Sequence, residues 1–143
     1  MRDVLTAYEN ADRPKRAFAL TAVHRDPYRG LVDALAGKAE VTDDTDINCD
    51  VCFSYLVESD GLYVVRLSMV GRYAIFGRVN GATTEPVSSQ VECSSDFERD
   101  VLRLLGTYDF QTLTESQLAE PVRLALPEIE RPTLRNALFF PEE

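Results

Sequence analysis

Three β-rich runs grouped in one stretch, with helical periodicities before and after them, predict an α+β domain. The runs VCFSYLVES, LYVVRLSMV and RYAIFGRV fall within residues 51 to 79, and their β-branched and aromatic residues suit a pleated, half-buried surface. Helical patterns stand on either side, at 26–38 and 94–106. Strands grouped in this way differ from the βαβ alternation of a parallel sheet, so a mainly antiparallel meander packed by flanking helices is expected. The 143 residues contain no repeat, low-complexity tract or long Gly/Ser linker. The chain therefore reads as one domain, 1–143, long enough to bury about two thirds of its unfolded surface.

Taken in order, residues 3–9 suit a short helix that ends before NADRP. In AFALTAV, 17–23, the alanines favour a helix, although Phe18, Leu20 and Ala22 also alternate as a strand would. DPYRGLVDALAGK reads as a helix with Asp26 as N-cap, Pro27 at the first helical position and Gly37 just past the end. Its Tyr28, Leu31, Val32 and Leu35 recur at three- and four-residue spacing and form a face for the sheet. SDG between the first two β-rich runs, and Asn80-Gly81 after the third, read as turns. SSDFERDVLRLLG carries an S-x-x-E capping box, Ser95 with Glu98, and Gly106 as its stop. Phe97, Val101, Leu102, Leu104 and Leu105 make its apolar face. A second box, Thr114 with Gln117, opens a short helix stopped by Pro121. TLRNALFF, 133–140, reads as a last strand or buried extended segment.

Charge narrows the function classes. Fifteen Lys and Arg against 24 Asp and Glu give a net charge of −9, which opposes direct binding to nucleic acid and favours a basic partner. No apolar run reaches the roughly 18 residues of a membrane span. The N-terminus lacks the apolar core of a secretory signal, so a cytoplasmic location is expected. Three cysteines cannot close a disulfide framework and are expected to stay reduced.

Acid concentrates in DDTDINCDVC, 43–52. Asp44, Asp46, Asn48 and Asp50 match alternate positions of a calcium loop, but Cys49 stands where the turn needs glycine and Tyr55 where coordination needs a bidentate glutamate. Cys49, Cys52, Cys93 and His24 make a paper set for zinc or thiol chemistry. Two of these ligands are isolated singletons, and a strand through 49–52 would point its two thiols to opposite faces. No nucleophile elbow, zincin, phosphate-loop or dinucleotide motif is present. No catalytic residue, metal ligand or cofactor is therefore assigned. Arg66, Arg72 and Arg78 punctuate the β-rich runs, either as an anion-binding cluster or as the solvated side of the sheet. The candidate binding residues are Glu40, Asp43, Asp44, Asp46 and Asp50, which concentrate like charge where no fold requirement is visible and suit the docking of a partner's Lys or Arg.

The segment LLGTYDFQTLTESQLAEPVRLALPEIERPTLRNALFF, 104–140, and the preceding LSMVGRYAIFG resemble small bacterial immunity proteins of polymorphic toxin systems. The shared pattern is a helix, an L-T-x-x-x-L segment ending in proline, and a closing N-A-L-F. The resemblance covers the last half of the chain. It implies a non-enzymatic cytoplasmic protein that blocks a toxin domain, often a basic nuclease, and it brings no catalytic residue with it. Two other classes stand beside it: a small metal- or thiol-dependent enzyme using Cys49, Cys52, Cys93 and His24, and a homo-oligomeric accessory subunit.

Overall fold

The β-rich runs pair as the sequence leads one to expect. In the computed structural model, which describes residues 2–46, 48 and 50–141, they form β2 (Cys52–Glu58), β3 (Leu62–Ser68) and β4 (Tyr73–Asn80), joined antiparallel. Two short strands extend the meander, β1 (Glu40–Asp43) on β2 and β5 (Thr83–Pro86) on β4. A sixth, β6 (Gln111–Thr112), pairs parallel with the start of β4. The order β1-β2-β3-β4-β5 follows the chain; tight turns join β2 to β3 and β4 to β5, whereas the longer segment 44–51 joins β1 to β2. The β4–β5 turn is shifted by one residue from the Asn-Gly expected: Asn80 still pairs with Thr83 in the ladder, and Gly81, at φ 61°, takes the first position of the two-residue turn, where a positive φ favours glycine.

Helices cover both faces: α1 (Arg2–Tyr8), α2 (Ala17–Arg25), α3 (Arg29–Ala36), α4 (Asp96–Thr107), α5 (Glu115–Leu118) and α6 (Leu134–Leu138). One core lies where Phe53, Tyr55 and Val57 of β2, Tyr63, Val65 and Leu67 of β3, and Ala74 and Phe76 of β4 meet α3 and α4. Leu31, Val32 and Leu35 of α3 and Val101, Leu102 and Leu105 of α4 supply the helical side. The second core lies across the sheet. There Cys52 and Ile75 meet Val4 and Tyr8 of α1, Leu118 of α5, and Leu134, Ala137 and Leu138 of α6. The two ends of the chain are tied in this second core, where the Tyr8 hydroxyl donates to the Ala137 carbonyl at 2.7 Å. Among the described residues, no helix is long and apolar enough to cross a membrane.

Several local expectations are corrected. Asp26 does not start α3. It ends α2 in the left-handed region (φ 47°, ψ 58°), its N–H bonding the Ala22 carbonyl, and α3 begins only at Arg29, after Pro27. Gly106 lies inside α4, and the left-handed residue that follows the helix is Asp109. Ser95 caps α4 by accepting from the Glu98 N–H at 3.2 Å, but the Glu98 carboxylate turns inward to Arg78. Residues 134–138, expected as extended, form α6, opened by Thr133 and Asn136 as a reciprocal cap. The Thr114–Gln117 cap of α5 stands as read from the sequence.

Candidate functional site: an acidic cleft at the sheet edge

The acidic stretch is an edge strand running into a built loop. Val41 of β1 packs into the first core, while Glu40, Thr42 and Asp43 are exposed. Beyond Asp43 the loop holds itself by side-chain turns: the Asp43 carboxylate accepts from the Thr45 N–H at 2.9 Å, and Asp46 accepts from the Asn48 N–H at 3.0 Å. Both are the local side-chain-to-backbone bonds at which aspartate excels. The Asp44 N–H donates to the Ser54 carbonyl at 2.8 Å and the Ser54 N–H to the Thr45 hydroxyl at 2.9 Å, so the loop stays on β2 past the end of the ladder.

The five predicted binding residues do not share one face. Asp43 stands opposite Tyr55 on the side of α3, whereas Glu40 stands opposite Glu58 on the other side. The Glu40–Glu58 pairing sets like charges directly across two strands, an arrangement that costs stability. Asp44 and Asp46 are exposed in the loop, and Asp50 is half-buried. Ile47 and Cys49 lie outside the described residues.

A cleft of about 320 Å³ opens where β1 and β2 meet the α2–α3 junction. Asp43 and Thr45 form one wall, Val23, Asp26 and Arg29 the other, and Phe53 and Tyr55 the floor. Asp26 reaches this cleft because it takes the left-handed conformation at the end of α2. The Tyr55 hydroxyl feels both carboxylates: burial, then Asp43 and Asp26, push its pKa up to about 12, against the opposing pull of Arg29. Arg29 is itself paired with Asp33, 3.1 Å away on the next helical turn. The cleft therefore keeps a net negative charge. Asp26 and Tyr55 were missed as binding residues from sequence, since only the packing of β2 against the α2–α3 junction brings them to Asp43.

The thiol and histidine set does not assemble. Cys52 is buried in the second core, Cys93 packs at the border of the first, on the opposite face of the sheet, and His24 is exposed on α2. Cys49 lies outside the described residues. Among the described residues, no three His, Cys, Asp or Glu side chains converge as metal ligands would.

Nor do the three arginines form one cluster. Arg78 lies on the first-core face, where its Nε donates to Glu98 Oε2 at 2.8 Å and its Nη1 pairs with Glu85 at 3.0 Å. Glu98, 1% exposed, also accepts from the Tyr63 hydroxyl, the Ser94 N–H and the Ser94 hydroxyl at 3.0 to 3.1 Å. The Arg78 bond, assisted by these donors, holds the Glu98 carboxyl down at about 2 against the effect of burial. Such saturation of both oxygens makes Glu98 a structural anion. Arg72 lies over the Tyr28 and Phe110 rings and donates to the Tyr108 carbonyl at 2.6 Å. Arg66 lies over the Phe140 ring on the opposite face of the sheet from Arg78.

No protein-family model, curated protein or solved structure matches this chain.

Proposed function

We propose that the chain is a non-enzymatic binding protein that receives a basic partner at the acidic cleft. Its concrete form is an immunity-type inhibitor of a basic toxin or nuclease domain. The observation that carries this reading is the meeting of Asp26 and Asp43 across Tyr55, with Arg29 as the only cation lining the cleft among the described residues and that arginine already paired with Asp33. A partner's guanidinium or ammonium group supplies the missing positive charge. The exposed Asp44 and Asp46 extend the field that steers it there. A cytoplasmic location belongs to the same proposal.

The test uses Asp26→Asn, Asp43→Asn and Asp44→Asn together. Asparagine tolerates the left-handed conformation at 26 and still accepts the Thr45 N–H at 43, so charge is removed while the loop is kept. Wild-type chain on beads should retain a basic protein that rising salt releases. The triple variant should retain much less of it, and the purified partner should lose its own activity when wild-type chain is added. Equal retention by the variant would rule out the cleft, and an uninhibited partner would rule out the inhibitor role.

A further inference from the structure

Arg66 sits in the middle of β3, the central strand of the meander, on the face opposite the acidic cleft. Its Nε is shielded from solvent and, among the described residues, has no hydrogen-bond partner. In a chain with a net charge of −9, an acidic neighbour for such a group would be easy to supply, yet among the described residues none bonds to this Nε. A buried N–H left without an acceptor loses its hydration with nothing in return, so an unpaired one on a central strand asks for an explanation.

The surroundings give one. Arg66 lines a pocket of about 210 Å³ together with Arg135 and Glu115, and Phe140, Ile75 and Pro86 form its apolar walls. Arg135 reaches both Glu115 oxygens, at 2.8 and 3.0 Å, through Nη2 alone, and among the described residues its Nε and Nη1 have no hydrogen-bond partner. Two guanidinium groups against one carboxylate leave the pocket one positive charge in excess. The Phe140 ring beneath Arg66 holds that guanidinium in place through its π face.

We infer that this pocket binds a small monocarboxylate, its oxygens on Arg66 and Arg135 and its apolar body against Phe140, Ile75 and Pro86. A single negative charge neutralises the pocket, and the planar fork of arginine matches a carboxylate in two-point contact.

The test is a titration of the full chain, labelled with ¹⁵N in its arginine side chains, with benzoate and separately with inorganic phosphate at constant ionic strength. The Nε–H resonances of Arg66 and Arg135, assigned from Arg66→Lys and Arg135→Lys spectra, should move and saturate with benzoate. Arg66→Lys should weaken benzoate about tenfold or more, because lysine keeps the charge and loses the fork. Absence of a saturable shift with benzoate, saturation with phosphate alone, or unchanged affinity in a folded Arg66→Lys protein would each overturn the assignment. Should that variant fail to fold, the wild-type titration decides by itself, with peaks assigned from Arg135→Lys and through-bond connectivities.

Discussion

Replacing Glu98 by glutamine removes one charge from a buried ion pair while keeping the side chain's shape. Glutamine retains one acceptor oxygen, but its N–H₂ must then face groups that are donors themselves, Arg78, the Tyr63 hydroxyl and Ser94. The carboxyl stands at about 2 in the fold, against 4.5 for an unperturbed glutamate. At about 1.4 kcal/mol per pH unit, that gap amounts to about 3 kcal/mol of stability at neutral pH. Because the folded value lies below the unfolded one, the contribution is whole above 4.5 and is lost as the pH falls through about 2. Urea denaturation of wild type and Glu98→Gln should therefore show a difference of about 3 kcal/mol near neutral pH. That difference should shrink to about 1 kcal/mol at about pH 3. A difference under about 0.5 kcal/mol near neutral pH, or one that does not shrink with acid, refutes the reasoning.

Gly77→Ala should destabilise by about 1–2 kcal/mol, because a Cβ there would sit 2.5 Å from the Thr84 methyl and 3.1 Å from the Glu85 carbonyl oxygen. Adding Thr84→Ser to that variant should recover part of the loss, and a double variant no better than the single one counts against the clash. Ser68→Ala should cost about 1–3 kcal/mol in urea unfolding, since the fully buried hydroxyl donates to the Leu138 carbonyl at 2.7 Å and accepts from the Val70 N–H. Thr133→Ala should cost about 1 kcal/mol by removing the N-cap of α6, with a thermal melt as the check.

The readable parts of the fold were those in which local chemistry and the final packing agree. The SDG turn closes on the Glu58–Leu62 pair as expected, the Asn-Gly signal marks the β4–β5 turn to within one residue, and Ser95 caps α4 because the apolar stripe behind it has a core to meet. Where a side chain serves distant structure, sequence spacing is silent. Glu98 looked like half of a local cap, and it is instead the partner of an arginine 20 positions away. Five residues from 134 to 138 are too few for periodicity to separate helix from strand, although Thr133 and Asn136 held the cap signal. The acidic stretch hid a strand because aspartate and glutamate are poor strand formers, so only Val41 and its contact with the first core mark β1. The cleft was half legible: Asp43 and Asp44 stood out by charge, whereas Asp26 joins them through a left-handed bend that its position before proline masked as a helix start.

The hydroxyl bond from Tyr8 to Ala137 joins groups 129 positions apart. During synthesis α1 therefore emerges before the other described elements and completes its docking only with α6. Residues 28 to 110 contain every buried member of the first core and can condense as they emerge, since chains fold in segments from the N-terminal side. Val4 and Tyr8 have no native resting place until α6 is made. The second layer thus closes only after α6 has emerged, and a ribosome that stalls before residue 134 leaves a folded sheet with α1 unsheltered, a substrate for chaperones and proteases.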